Sequence, residues 1–235
     1  MRFASALVLF AHPDDAEYMC GGTVAAWTRE GTEVHYVCIT DGSAGSNEPG
    51  VTREGLAPIR EREQRAAAEV LGVKSVTVLG YKDGELEVNL DTRRAVAREV
   101  RRVRPEVLVA PDPSRLWSGR GYVNHSDHKA AGTLALCAVM PDSPTRLQFS
   151  ELLEEGFEPY EIPNLWLAAE EPDTYVDITK TIDIKLEALT RHESQHGEAS
   201  APWVRERARD FGERAGVEYA EAFRAFSLRE DEDSE

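Results

Sequence analysis

The sequence contains few cysteines, and they form no recognisable ligand or redox pair. Cys20, Cys38 and Cys137 are the only three among 235 residues, and no C-x-x-C pair occurs. Their odd number and wide spacing exclude a disulfide-rich secreted scaffold and a cysteine-based zinc site. Each lies in or beside an apolar stretch, so we predict buried free thiols in a reducing, cytoplasmic environment.

Long hydrophobic runs are also missing. The apolar stretches at residues 6–11 and 134–140 are far shorter than the ~20 residues that cross a bilayer as a helix. Residues 1–3 lead directly into the first stretch, without a segment that resembles a secretion signal. We therefore expect no membrane partner and a cytoplasmic location.

Basic residues are scarce relative to acidic ones. The chain has 27 Lys and Arg against 43 Asp and Glu, which gives a net charge of −16. Nucleic acids and anionic membrane surfaces bind basic surfaces, so neither is expected as a partner. Residues 229–235 carry five acids and no apolar side chain. We predict one domain over residues 1–228, followed by a disordered acidic tail over 229–235.

Strand-like and helix-like segments alternate through most of the chain. Strands are predicted at 6–11, 34–40, 76–79, 106–110, 165–169, 174–176 and 219–226, and helices at 21–30, 58–71, 91–103, 126–140, 179–195 and 202–215. Pro58 is expected in the first turn of its helix and Asp91 as an N-cap. The alternation predicts a single-domain α/β fold with an open, mostly parallel sheet and helices on both faces.

Two clusters of metal-binding residue types follow predicted strands of this sheet. The sequence His-Pro-Asp-Asp at 12–15 follows the first strand, and Asn-His-Ser-Asp-His at 124–128 follows the fourth. Residues 40–42, Thr-Asp-Gly, end the second strand. Open α/β sheets bind ligands beyond the carboxyl ends of their strands, so we expect these segments to converge on one site.

A metal ligand set can be assembled from the two clusters. Pro13 restricts the backbone as the strand ends, which lets the side chains of His12 and Asp15 turn toward one point. His125 and His128 are three positions apart at the start of a helix, so both can face one site. His128 lies further inside that helix and is held more firmly. We predict His12, Asp15 and His128 as ligands of a divalent metal that keeps one position open to water.

The residues beside these ligands suit proton transfer. Asp14 is placed to accept a proton from a water molecule held by the metal. His125, with Asp127 nearby to orient and charge its ring, suits a general acid or an oxyanion partner. Either cluster alone also fits a hydrogen-bonded turn at a strand end. Their joint position at the ends of one sheet favours a metal-dependent hydrolase.

The same motifs resemble a known family. Residues 11–15 with Glu17 and the glycine pair 21–22, then 40–42, then His-x-Asp-His at 125–128 are similar to the LmbE-like/PIG-L-like family. Residues 59–63 and 71–73 resemble its second helix, and 185–195 its late helix. The family consists of zinc-dependent de-N-acetylases of N-acetylglucosamine-containing compounds with a Rossmann-like fold.

The resemblance implies roles for individual residues. By this resemblance His12, Asp15 and His128 would bind zinc, and Asp14 would be the general base. His125, paired with Asp127, would be the electrophile or acid. Ser126 stands where the family usually has proline. Arg53 and Asp83 are candidate contacts to sugar hydroxyls, Tyr122 a mobile oxyanion contact and His192 a further substrate contact. Each of these four also fits a structural or solvated position.

The resemblance predicts a function and leaves two alternatives open. It predicts a zinc hydrolase that removes the N-acetyl group from an N-acetylglucosamine-type amino sugar or its conjugate. It also implies a small-molecule partner and a homo-oligomer. One alternative is an amidase of a thiol conjugate in the same family. The other is a non-enzymatic, doubly wound nucleotide-binding protein, although the glycine pair 21–22 is not a G-x-G-x-x-G fingerprint.

Two weaker signals compete with this prediction. Residues 192–196 match H-E-x-x-H, the metalloprotease signature. Gly197 follows at once, which places the motif in the last turn of a helix and argues against a protease. Four aromatic residues, Trp117, Trp166, Trp203 and Tyr122, can either line a sugar site or pack in the core.

Overall fold

The computed structural model describes residues 2–118, 121–195 and 201–228. In these residues the strands are β1 (Ser5–Phe10), β2 (Glu33–Thr40), β3 (Ser75–Tyr81), β4 (Val107–Pro111), β5 (Trp117–Ser118), β6 (Tyr122–Val123), β7 (Asn164–Ala168), β8 (Thr174–Asp177) and β9 (Ala220–Ser227). The helices are α1 (Asp15–Arg29), α2 (Arg53–Leu71), α3 (Leu90–Val103), α4 (Ser126–Cys137), α5 (Glu151–Glu154), α6 (Ile182–Thr190) and α7 (Ala201–Ala215). None of the helices in these ranges combines the length and apolarity that crossing a membrane requires.

Seven of the strands form one sheet in the order β3-β2-β1-β4-β7-β9-β8. The first five strands in this order are parallel, and β9 runs antiparallel to both β7 and β8. β5 and β6 form a separate antiparallel hairpin. The predicted open, mostly parallel α/β sheet is confirmed. The hairpin was not predicted, because its strands are only two residues long.

Helices cover both faces of the sheet because β1 alternates its side chains between two cores. Ala6, Val8 and Phe10 pack with residues of α1, α2 and α6 on one face. Leu7 and Leu9 pack with residues of α3 and α4 on the other. Burying such a leucine stabilises the fold by roughly 1.5–3 kcal/mol. From Ala6 to Phe10 the side chains of β1 are buried on both faces, and polar residues follow where the strand ends.

Several helix boundaries differ from the sequence prediction. α1 begins at Asp15 rather than at the glycine pair. Gly22 therefore lies inside α1. A Cβ at this position would stand 2.8 Å from Ile178 Cδ1, so the glycine allows the helix to pack closely against Ile178. α2 begins at Arg53, where Thr52 caps it, and Pro58 therefore lies in the second turn rather than the first.

Three other boundaries also needed correction. The N-cap of α3 is Asn89, whose side-chain oxygen accepts hydrogen bonds from the Asp91 and Thr92 amides at 3.0 Å; Asp91 is not the cap. The helix predicted at 126–140 ends at Cys137, and a π-helical turn containing Pro141 follows. The helix predicted at 179–195 spans only Ile182–Thr190. The predicted tail, 229–235, lies outside the described residues.

The strand order places a crevice at the carboxyl end of β1. The chain adds β2 and β3 on one side of β1, and β4 and β7 on the other. Helices that follow β1 and β4 therefore lie on opposite faces and diverge at this point, where such sheets bind ligands. The segment 12–15 follows β1, and the segment 124–128 leads into α4 after β4.

Candidate active site

The predicted metal ligands come together at this crevice. His12 Nδ1 lies 3.2 Å from His128 Nε2 and 3.4 Å from Asp15 Oδ2. The second carboxylate oxygen of Asp15 lies 3.1 Å from His128 Nε2. One possible ligand atom from each of the three residues thus lies within 4.8 Å of the other two. Two imidazole nitrogens and one carboxylate form the donor set typical of a catalytic zinc site with an open position.

Neighbouring polar groups orient the two imidazoles. His12 Nε2 lies 3.1 Å from Asp83 Oδ1 and 3.2 Å from Asp127 Oδ2, which leaves Nδ1 directed at the other ligands. His128 Nδ1 lies 3.0 Å from the Asn124 side-chain oxygen, which leaves its Nε2 free to face the same point. Partners of this kind fix the ring orientation of metal-binding histidines and strengthen them as ligands.

The charge around His12 is strongly negative. Burial opposes the protonated ring, but the carboxylates of Asp127, Asp15 and Asp83 outweigh this effect and raise the pKa of His12 to about 12. A cluster of buried carboxylates that stabilises a proton so strongly also stabilises a divalent cation in its place. The electrostatics of the site therefore match the ligand geometry.

A second group of donors overlaps the first. His12, His125 and Asp127 also offer ligand atoms within 4.8 Å of one another. Asp15 and His128 line the cavity described below, whereas His125 and Asp127 do not. The Asp127 carboxylate is fully buried and already accepts a hydrogen bond from the Gly84 amide at 2.8 Å. The first group is therefore the better candidate for a metal that substrate can reach.

Asp14 is held in an unusual backbone conformation beside the ligands. Its φ of 103° is in the left-handed region, which non-glycine residues rarely occupy and which marks many functional sites. The Gln64 side chain accepts a hydrogen bond from the Asp14 amide at 2.9 Å, and Arg60 donates to the Pro13 carbonyl. The Arg60 guanidinium lies 3.3 Å from Asp14 Oδ2. These contacts keep the carboxylate in place at the cavity wall.

Burial also tunes the acidity of Asp14. Burial raises the pKa of Asp14 to about 7, and the charge of Arg60 only partly opposes this effect. A general base is most effective when its pKa lies near the working pH. This pKa is compatible with the predicted role of Asp14 as a general base.

His192 lies behind this base rather than in the cavity. Its ring is 1% exposed, and its Nε2 lies 3.1 Å from Glu17 Oε2. Gln64 donates to both oxygens of Glu17, at 3.1 and 3.2 Å, and so connects this pair to Asp14. The structure thus gives His192 a buried partner instead of the predicted position beside substrate. Residues 192–195 of the H-E-x-x-H match follow the end of α6 at Thr190 and are not helical, and His196 lies outside the described residues.

His125 occupies the N-cap of α4, with its side chain 44% exposed. Its Nδ1 accepts a hydrogen bond from the Asp127 amide at 3.2 Å, so the neutral ring carries its proton on Nε2. The Asp127 carboxylate lies 3.8 Å from His125 Nδ1 and 3.2 Å from His12 Nε2. Asp127 thus faces His125 with both its backbone amide and its carboxylate, and the amide is the nearer group. Burial, and then the charge of His12, lower the pKa of His125, which disfavours the charged ring that was expected.

A cavity of about 580 Å³ opens beside Asp14, Asp15 and His128. Its other walls come mainly from α7, β9 and the segment between β4 and α4. They consist of Tyr18, Met19, Pro111, Asp112, Arg115, Tyr122, Asn124, Ala168, Lys185, Trp203, Val204, Arg207, Ala208, Phe211, Ala220, Glu221 and Ala222. Such a volume suits a small molecule, and its mixed lining suits a sugar.

The other predicted substrate contacts occupy different positions. Tyr122 lines the cavity, and its hydroxyl donates to Asn124 at 3.3 Å. Asp83 is 4% exposed, and its carboxylate is engaged by His12 and the Ala44 amide rather than open to a sugar. Arg53 donates to Ser43 Oγ at 3.1 Å and to the Asp83 carbonyl at 2.9 Å, outside the cavity lining.

The tryptophans divide between the cavity and other positions. Trp203 lines the cavity and stacks on Tyr18, with ring centroids 5.2 Å apart. Trp166 packs in the core against Phe3 and Trp27, and Trp117 is 64% exposed. The cysteines are all free thiols; Cys20 and Cys38 are buried as predicted, whereas Cys137 is only half-buried.

Sequence reasoning missed several residues that support the site. Arg60 and Gln64 hold Asp14, and Asn124 orients His128. Arg60 and Gln64 are four positions apart, on the buried side of an otherwise polar helix. Two long polar residues at that spacing among buried alanines are a signal, because buried polar groups need partners. Asn124 belongs to the second cluster but was assigned no role.

Comparison with known proteins places these features in a family. A family model described as "PIG-L: GlcNAc-PI de-N-acetylase" matches residues 7–139. The diacetylchitobiose deacetylase of Thermococcus kodakarensis is 34% identical over 223 residues, which cover 93% of this chain and 81% of that protein. The solved N,N'-diacetylchitobiose deacetylase of Pyrococcus horikoshii, complexed with its inhibitor MPG, superposes with a TM-score of 0.88. It is 32% identical, and the match covers 96% of this chain and 84% of that one.

One relative carries out a different reaction. The 4-oxalmesaconate hydratase of Pseudomonas putida is 30% identical over 196 residues, which cover 79% of this chain and 71% of that protein. The relatives of this chain thus include proteins named as deacetylases and a protein named as a hydratase. Any assignment of the reaction has to distinguish between these two chemistries.

Proposed function

Because this chain belongs to the PIG-L family of de-N-acetylases, we propose that it hydrolyses the N-acetyl group of an N-acetylglucosamine-type amino sugar or its conjugate. One observation carries this proposal. His12, Asp15 and His128 direct three donor atoms at one point, with Asp14 beside them, at the wall of a cavity large enough for a sugar. A nucleotide-binding protein has no need for this constellation.

The same residues support a bound metal, which we propose to be zinc. Two imidazole nitrogens and a carboxylate match the preference of zinc for nitrogen and oxygen ligands with one position left open. Asp83, Asp127 and Asn124 hold the two rings in the orientation that binding requires. When bound, zinc would act as a Lewis acid that polarises the carbonyl and lowers the pKa of water.

The protein's own groups would move the protons of the reaction. Asp14 would accept a proton from the attacking water as its oxygen bonds to the acetyl carbon. His125 would donate a hydrogen bond from Nε2 to the oxyanion that forms, since its Nδ1 is occupied by the Asp127 amide. Asp14 would then return its proton to the nitrogen as the C–N bond breaks. The products are acetate and the free amino sugar.

A direct assay tests this proposal. The purified protein, supplied with zinc, should release acetate and a free amine from N-acetylglucosamine, diacetylchitobiose or a glycoside of N-acetylglucosamine. The Asp14→Asn variant, prepared in parallel, should show no such release beyond a small residual rate. Absence of acetate release from all three substrates would refute the deacetylase. Hydration of 4-oxalmesaconate by the same preparation, without deacetylation, would place the chain with the hydratase instead.

A further inference from the structure

One wall of the cavity carries positive charge that the proposed chemistry does not use. Arg207 lies on α7, and Arg115 lies in the segment between β4 and the β5–β6 hairpin; both line the cavity. Each guanidinium lies over an aromatic ring that also lines it: Arg115 over Tyr122 at 5.6 Å, and Arg207 over Phe211 at 5.4 Å. We call these four residues the arginine wall. The rings restrict both guanidiniums and keep them directed along the cavity surface.

The cationic side chains that line the cavity differ in whether a carboxylate pairs with them. Lys185 is paired with Glu221 at 2.5 Å, and both are buried. Arg115 Nε lies 2.8 Å from the Glu170 carboxylate. Arg207, in contrast, has no carboxylate within 4.0 Å in the described part of the chain. Within the described residues, Arg207 is therefore a cation of the cavity lining without an ion pair of its own, although the Glu170 carboxylate that pairs with Arg115 also acts on it.

The two arginines also act on each other. Arg207 remains exposed to solvent, but partial desolvation by the surrounding protein, and then the positive charge of Arg115, lower its pKa, while Glu170 opposes this effect. Two guanidiniums that face the same space repel one another until an anion lies between them. Their planar forks match carboxylate and phosphate oxygens with paired hydrogen bonds. A neutral hydroxyl would leave the excess charge in place.

We propose that the arginine wall binds an anionic group, a carboxylate or a phosphate, on the part of the substrate to which the N-acetylated sugar is attached. Arg207 is the principal ligand, and Arg115 is the second. This inference rests on the proposed deacetylation, in which the metal ligands and Asp14, in the lining of the same cavity, place the sugar. It narrows the substrate class from N-acetylglucosamine compounds in general to acidic conjugates.

The proposal is tested with N-acetylglucosaminides that differ only in charge. One carries a carboxylate on its aglycone, one a phosphate, and one the uncharged amide of similar size. Because a hydrogen bond to a charged group contributes about 1.5–3 kcal/mol, the preferred anion should raise kcat/KM roughly tenfold or more over the amide. The carboxylate and phosphate substrates show which anion the site prefers. Added salt should reduce the preference.

Substitutions of single arginines test which residue produces the preference for the anionic substrates. Arg207→Gln should lower the ratio of kcat/KM for the anionic glycoside to kcat/KM for the amide to about one, since the charge that distinguishes the two substrates is removed. Arg207→Lys should retain part of the preference. Arg214→Gln is the matched control, because Arg214 lies on the same helix and over the same Phe211 ring at 5.7 Å but does not line the cavity. Arg214→Gln should keep the full preference.

Two results would refute anion binding by the arginine wall. One is equal kcat/KM for the charged and neutral glycosides, and the other is a preference for the anionic glycosides that survives in Arg207→Gln. Calorimetry with the Asp14→Asn variant separates this failure from failure of the proposed function. Binding needs no turnover, so tighter binding of the anionic glycosides supports the wall even where no acetate is released. Equal binding of all three glycosides refutes the wall even where deacetylation is confirmed.

Discussion

His12 Nδ1 and His128 Nε2 lie 3.2 Å apart, although 116 positions separate the two residues in the chain. The contact exists because β1 and β4 are neighbours in the sheet, so the segments beyond their carboxyl ends meet. Two imidazole nitrogens this close, with the Asp15 carboxylate beside them, repel or share a proton in the absence of a cation. The predictions below follow from this arrangement.

The first prediction concerns metal content. His128→Ala removes one of three ligands, so zinc bound per chain after dialysis should fall by at least about tenfold, since a weakened ligand set loses affinity steeply. Elemental analysis of the purified proteins measures this. His35→Ala is the control, because the His35 ring, on β2, pairs with Ser75 on β3 and is not part of the donor groups. Full zinc content in His128→Ala would refute the ligand set.

The second prediction separates the base from the ligands. Asp14→Asn preserves shape but removes the proton acceptor, so kcat should fall by about 10²–10⁴ while zinc content stays near that of the native protein. Acetate release and elemental analysis of the same sample give both values. Asp210→Asn, an exposed carboxylate on α7, should change neither. Loss of zinc together with activity would show that Asp14 is a ligand rather than the base.

The third prediction concerns the group that orients His128. Asn124→Ala removes the oxygen 3.0 Å from His128 Nδ1, so zinc affinity should weaken by about 10–100-fold. Asn124→Asp keeps an oxygen at this position and should retain affinity close to that of the native protein. Competition with a chelator of known affinity measures both. Equal affinity in all three proteins would mean that the ring is held by its helix alone.

The fourth prediction distinguishes a buried role of His192 from a substrate contact. The His192 ring is buried against Glu17 and does not line the cavity. His192→Ala should therefore leave KM within about twofold of the native value. The free energy of unfolding should fall by about 1–3 kcal/mol, because Glu17 loses a buried partner. Steady-state kinetics and urea unfolding measure the two effects. A large rise in KM with unchanged stability would restore the predicted substrate contact.

The sheet, and the convergence of His12, Asp15 and His128 at its edge, could be predicted from the sequence for a physical reason. Apolar runs such as β1 end abruptly in polar residues, and parallel strands bring those ends together, so His12, Asp15 and His128 were expected at one edge. The same logic cannot show which side chain pairs with which. Asp127 was expected to pair with His125, and its carboxylate lies 3.8 Å from that ring, but its closer contact with His12, at 3.2 Å, was not expected.

Other parts of the site depend on distant packing and were not predicted. Arg207 reaches the cavity only because α7 packs against β9, which is paired with β7. Nothing in the local sequence around Arg207 distinguishes it from Arg209 or Arg214 on the same helix. Helix starts were also missed where a glycine serves close packing rather than a turn, as at Gly22.

Anomalous X-ray diffraction at the zinc absorption edge, on crystals grown with zinc, tests the central claim most directly. We expect one strong peak per chain, in contact with His12 Nδ1, the Asp15 carboxylate and His128 Nε2. A peak at His12, His125 and Asp127 instead, or no peak at this edge of the sheet, would contradict it.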